Sequence, residues 1–123
     1  MFLRFAAFAM TCALLLAQGA ISDGTYKGDW TGASANGDFV LTVQAGAVQK
    51  VSFTLGGQEV SSKIVSQKID GAKIQAVYEF DLQGNKLQSA ITGALKGKTI
   101  EGSYKTTAGD QAVDEGTWKA SAP

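Results

Sequence analysis

Five carboxylates in the second half of the chain are the side chains best suited to catalysis. They are Glu79, Asp81, Glu101, Asp114 and Glu115. Two carboxylates can hydrolyse a glycosidic bond when both point into a cleft about 5–9 Å apart. Glu79 and Asp81, however, alternate with the apolar residues of segment 78–82, and Glu101 follows Ile100 in the same way. Alternation turns these acids toward water, so we expect no catalytic pair and no enzyme.

The N-terminus limits the remaining chemistry. Residues 1–19 combine a basic start ending in Arg4, an apolar run over residues 5–16 and the small-residue stretch Ala17-Gln18-Gly19. These are the three zones of a secretory signal peptide. The apolar run is short against the ~20 residues that span a bilayer. We therefore predict cleavage after Gly19 or Ala20, a single domain over residues 20–123, and no stable membrane insertion after cleavage.

Removing residues 1–19 takes away Arg4, Cys12 and both Met residues, and the chain has no His. A Ser-His-Asp triad, a thiolate nucleophile and a zinc site of the usual kind are then excluded. Gly84-Asn85 and Gly109-Asp110 offer oxygen ligands for calcium, but their spacing is that of ordinary turns. The sequence therefore predicts neither a metal site nor a cofactor.

Charge and composition limit the classes of binding partner and the cellular compartments that fit this chain. Residues 20–123 hold ten Lys and no Arg against eleven Asp and Glu, which argues against nucleic acid because its binding needs clustered basic groups. The mature chain has no Cys for a disulfide, so packing alone must stabilise it. It also has no N-x-Ser/Thr acceptor for glycosylation. We expect a monomer in a bacterial periplasm or the surrounding medium.

Turn residues divide the mature chain at regular intervals. The seven predicted turns are Asn36-Gly37, Gly46, Gly56-Gly57, Asp70-Gly71, Gly84-Asn85, Gly97 and Gly109-Asp110. Glycine, Asn and Asp supply the positive φ that tight hairpins need. Seven turns define eight segments, and no gap has room for a crossover helix. Within the segments apolar residues alternate with polar ones, as in strands with one buried face.

Eight antiparallel strands can close into an up-and-down barrel if the first pairs with the last. The first predicted strand, residues 24–32, and the last, residues 112–120, both place glycine and aromatic residues on one face. Glycine within a strand permits a sharp bend or a bulky neighbour. We predict an all-β, eight-stranded antiparallel barrel, with a two-sheet sandwich as the alternative.

Several short motifs carry a family resemblance over residues 24–119. They are Gly28-Asp29-Trp30, Lys68-Ile69-Asp70-Gly71, Gly93-Ala94-Leu95, Ile100-Glu101-Gly102-Ser103-Tyr104 and Gly116-Thr117-Trp118. With them the chain resembles the small lipocalin-like domains of exported bacterial proteins, within the calycin group. The resemblance implies a barrel that Trp30 plugs at one end, with Lys119 packed beside that tryptophan. It implies a fold and assigns no activity.

A ligand cavity in the barrel interior is the functional hypothesis that survives. Ligand pockets are mostly apolar with a few convergent polar groups, and the predicted interior holds many aromatics together with serines, including Ser66. The candidate ligand-binding residues are Tyr26, Trp30, Phe53, Ser62, Tyr78, Ser89, Tyr104 and Trp118. The alternative is a filled core in which the serines bond to the backbone. Short strands enclose little volume and favour that alternative.

The sequence thus predicts an exported, non-catalytic protein that binds a small apolar or amphipathic ligand. A second hypothesis is an envelope module that binds or inhibits another protein. The tail at residues 20–23 and the loop at residues 31–38 are its candidate contact segments. The tail is too short to reach deeply into a protease cleft.

Overall fold

A computed structural model describes residues 20–123, so the predicted signal peptide lies outside the described residues. The described chain is all-β and antiparallel, as the alternation predicts. It forms nine strands: β1 Gly24–Gly32, β2 Asn36–Gln44, β3 Ala47–Leu55, β4 Gln58–Ser61, β5 Lys63–Asp70, β6 Lys73–Leu82, β7 Asn85–Lys96, β8 Thr99–Ala108 and β9 Gln111–Ser121.

All nine strands belong to one sheet, in the order β4-β3-β2-β1-β9-β8-β7-β6-β5. The sandwich alternative is therefore wrong. The predicted pairing of the first and last strands is confirmed, since β1 and β9 run antiparallel with Trp30 opposite Trp118. This pairing joins strands β1–β4 and strands β5–β9 into a single curled sheet.

The prediction of an eight-stranded closed barrel is wrong. The segment between the Gly56-Gly57 and Gly71 turns is divided at Ser62 into β4, which pairs with β3, and β5, which pairs with β6. These two strands are the edges of the sheet, and in the described chain no ladder joins them. The sheet curls into a half-barrel, and β5 lies beside β3 through contacts such as the hydrogen bond from the Val48 amide to Gln67 Oε1, 3.0 Å.

One of the seven predicted turns is also wrong. Asn36-Gly37 lies in β2, and the connection before it is Ala33–Ala35. Gly37 instead lets β2 pack closely against Thr54 and Trp30. A Cβ there would overlap the Thr54 carbonyl and come within 2.8 Å of the Trp30 indole nitrogen. The other six predicted turns each contain a glycine with positive φ, as hairpin geometry requires.

The core follows the period-two pattern and shifts where a bulge adds a residue. Between Ile64 and Ser66 the β5–β6 register slips, so Ser66 pairs opposite the outward Val77 while Gln67 pairs opposite the buried Ala76. The prediction that Ser66 lies inside is wrong for this reason, and its side chain is exposed. A second bulge at Val113 likewise turns an apolar side chain to solvent.

Residues 21–26 cap one end of the half-barrel, which we call the capped end. Ile21 is buried, and its amide donates to the Gly71 carbonyl at 3.0 Å. Asp23 accepts the amides of Ala45 and Gly46 at 2.9 and 3.1 Å. The Tyr26 hydroxyl donates to the Ser22 carbonyl at 2.6 Å. This end is therefore filled by the chain itself.

Within residues 20–123 there is no helix of the length and apolar character that a bilayer crossing requires.

Candidate functional site

A pocket of about 540 Å³ opens at the end opposite the capped end. Its rim comes from the β1–β2 connection, the β6–β7 turn and the β8–β9 hairpin. The lining side chains reach it from the inward positions of the surrounding strands. They are Trp30, Phe39, Phe53, Leu55, Tyr78, Phe80, Leu82, Leu87, Ser89, Ile91, Tyr104, Thr106, Ala108, Asp114 and Trp118, with Ser34, Ala35, Asn85, Lys86, Gly109 and the exposed Val113 at the rim. Such a volume lies within the ~300–1,000 Å³ of ordinary ligand pockets, so the expected filled core is wrong at this end.

One wall of the pocket is a chain of aromatic contacts. Trp30 meets Phe53 and Tyr104 edge-on, with centroids 6.3 and 6.0 Å apart. Phe53 in turn meets Phe80 at 5.0 Å, again edge-on. Edge-to-face pairs at these separations are favourable and fix ring orientation. The apolar wall is therefore preformed.

The other wall carries a polar row that crosses four neighbouring strands. Tyr78 on β6 lies opposite Ser89 on β7, Ser89 opposite Thr106 on β8, and Thr106 opposite Asp114 on β9. The Ser89 and Thr106 hydroxyls are hydrogen bonded at 2.5 Å. Buried hydroxyls of this kind need partners, and the ladder register supplies them from strand to strand.

The row ends at Asp114, whose carboxylate accepts two hydrogen bonds. Tyr104 donates its hydroxyl to Oδ2 at 2.7 Å, and the Ala33 amide donates to Oδ1 at 3.3 Å. Gly32 makes room, because a Cβ there would collide with the Tyr104 hydroxyl and the carboxylate. Asp114 thus ties the β1–β2 connection to the pocket wall.

The two tyrosines are held in their neutral form. Burial raises the pKa of Tyr78 to about 12, and its hydrogen bond with Ser89 offsets part of that effect. Burial also raises the pKa of Tyr104, and the neighbouring Asp114 carboxylate raises it further. Both phenols therefore stay uncharged, and able to donate a hydrogen bond, to a higher pH than an exposed tyrosine does.

Six of the eight sequence-predicted site residues line this pocket together, namely Trp30, Phe53, Tyr78, Ser89, Tyr104 and Trp118. Tyr26 is buried but lies at the capped end, bonded to Ser22. Ser62 is half-buried at the β4–β5 junction, where its hydroxyl donates to the Val51 carbonyl at 2.5 Å. The structure does not bring these two residues to the pocket.

Thr106 and Asp114 line the pocket and are absent from the predicted ligand-binding residues. Both follow the alternation that places Tyr104 and Trp118 inside, two or four residues along the same strands. Extending the pattern through β8 and β9 finds both of them. The sequence marks Asp114 only as one of the five carboxylates suited to catalysis.

The remaining carboxylates do not join the pocket. Asp81 and Glu101 are exposed, and Glu79 is half-buried with its Oε1 3.9 Å from Lys86 Nζ. Across residues 20–123 no three acidic side chains come together as metal ligands do. The expectation that Lys119 packs beside Trp30 is wrong. Lys119 lies exposed on the outer face opposite Asp29 and Glu101, so it does not pack beside the inward-facing indole of Trp30.

Comparison with known proteins finds no family model, no curated protein and no solved structure that matches the chain.

Proposed function

We propose that the protein binds a small apolar or amphipathic molecule in the pocket and performs no chemistry on it. The observation that carries the proposal is a cavity of about 540 Å³ with a preformed aromatic wall facing a hydrogen-bonded polar row. Burying apolar ligand surface against such a wall contributes about 25 cal/mol per Å². The polar row supplies orientation.

The wider proposal is that of an exported, monomeric domain of lipocalin-like type. The curled antiparallel sheet with Trp30 on its first strand is compatible with it. The protein-binding alternative draws less support, because the tail at residues 20–23 is held by the fold through Ile21 and Asp23. The β1–β2 connection is likewise held through the Ala33 amide.

The test uses the neutral fluorophore N-phenyl-1-naphthylamine with purified residues 20–123. We expect saturable fluorescence enhancement with one site per chain. Ala108 lines the pocket, whereas Ala112 lies exposed on the same hairpin. Ala108→Phe should therefore place a ring in the cavity and weaken binding at least about tenfold, about 1.4 kcal/mol. Ala112→Phe is the matched control and should bind as the wild type does. Absence of saturable binding, or equal loss in both variants, would overturn the proposal.

A further inference from the structure

We infer that the pocket selects amphiphiles whose head group is cationic, or neutral and hydrogen-bond donating, over those with an anionic head group. The inference rests on the proposed function and names the ligand class of the same site. It follows from the charges and hydrogen-bonding groups that the pocket presents.

The charge in the pocket wall is negative. Asp114 is half-buried, lies on the polar row and forms part of the lining. Lys86 is the cation among the lining residues, but it sits at the rim with its side chain 68% exposed and 3.9 Å from Glu79. Water screens such an exposed charge more than it screens the half-buried Asp114, because partly buried charges are screened less.

Asp114 retains capacity to accept a ligand's hydrogen bond. An ionised carboxylate offers about four lone-pair sites. Tyr104 and the Ala33 amide each occupy one, on different oxygens. An ammonium or hydroxyl head group placed beside Thr106 would find a charged acceptor that the fold has already oriented.

The polar row offers no cationic partner to an anionic head group. The polar row consists of hydroxyl groups and one carboxylate, and Tyr104 has committed its proton to Asp114. A carboxylate ligand would lose its hydration without gaining a cation, and a buried charge without a partner is strongly disfavoured. Burial of the alkyl chain against the aromatic wall does not depend on head-group charge, so ligands that share one chain test the head group alone.

The test measures displacement of N-phenyl-1-naphthylamine by decylammonium, 1-decanol and decanoate, three ligands that share one alkyl chain. We expect decylammonium and 1-decanol to displace the probe at concentrations at least about tenfold lower than decanoate. Asp114→Asn preserves shape and an acceptor oxygen while removing the charge. It should reduce the decylammonium-to-decanoate ratio at least about fivefold. Asp81→Asn changes net charge equally on the exposed face and should leave the ratio unchanged.

The outcomes separate the two proposals. Saturable probe binding with decanoate equal to or better than decylammonium overturns the ligand class and leaves the binding function standing. An unchanged ratio in Asp114→Asn, or an equal change in Asp81→Asn, also overturns it, because the selectivity would then reside in overall charge. A probe that does not bind to the wild type overturns the binding function and this inference together.

Discussion

Trp30 and Trp118 lie directly opposite one another across β1 and β9, and their indole N–H groups point to different parts of the sheet. Trp30 donates to the Thr54 carbonyl at 3.0 Å. Thr54 lies in the part of β3 that pairs with β4 and extends beyond the β2–β3 pairing. Trp118 donates at 3.2 Å to the carbonyls of Thr92 and Ser103, on the opposite side. The pair therefore joins both halves of the curled sheet through the pairing of β1 with β9.

Replacing either tryptophan by Ala should lower the free energy of unfolding by about 3–5 kcal/mol, because each leaves a cavity and removes the partner of a backbone carbonyl. Urea denaturation of Trp30→Ala and Trp118→Ala measures the loss. Thr117→Ala, exposed beside Trp118, is the control and should change stability by less than about 0.5 kcal/mol. Wild-type stability in either tryptophan variant would contradict the described core.

Gly102→Ala should cost about 1–3 kcal/mol through overpacking. A Cβ at this position would overlap the Thr92 carbonyl of the neighbouring strand, and backbone cannot yield as a flexible side chain can. Thermal unfolding of Gly102→Ala measures this loss of stability, and Ser103→Ala, at the exposed neighbouring position, is the control. Equal melting temperatures for the two variants would show that the sheet is less tightly coiled there.

Stability should decline with rising pH above about 10, and Tyr78 should contribute to that decline between about pH 10 and 12. Its folded pKa is raised to about 12, whereas an unfolded tyrosine titrates near 10. In that window the unfolded state binds fewer protons, so each pH unit removes about 1.4 kcal/mol, while below about pH 10 the contribution is fully present. Denaturant unfolding of wild type and Tyr78→Phe across the window measures it. The variant should show the shallower decline, and parallel declines would contradict the prediction.

Glu79→Ala and Asp81→Ala should each change stability by no more than about 0.5 kcal/mol. Asp81 is exposed, and the ion pair of Glu79 with the exposed Lys86 spans 3.9 Å. Ion pairs of this kind contribute little. A loss above about 1 kcal/mol in chemical denaturation would mean that one of these acids has an interior role.

Much of the fold was predictable from local pattern. Period-two alternation and six of the seven turns located the strands, since hairpin geometry is set by neighbouring residues. The split at Ser62 was not predictable in this way. Segment 58–70 has the composition of one strand, and only the three-dimensional course of the sheet makes it pair with β3 first and with β6 afterwards.

The site was predictable in part for the same reason. Alternation along β1, β8 and β9 correctly turned Trp30, Tyr104 and Trp118 inward, and continued further it also marks Asp114. Which inward residues share the pocket depends on how far along the half-barrel each lies. Tyr26 shares the inward face of Trp30 but lies four residues, or two repeats of the pattern, nearer the capped end, where its hydroxyl donates to the Ser22 carbonyl.

The sequence by itself determined most of the strands, most of their inward faces and the chemistry that residues 20–123 lack, because these depend on composition and on spacing along the chain. Tertiary structure alone decided that the sheet is a nine-stranded half-barrel with one end filled and the other hollow. The physical reason is that register shifts and strand pairing act between distant segments. The bulge after Ile64 turns Ser66 outward, and the alignment of four strands brings Tyr78, Ser89, Thr106 and Asp114 into one row.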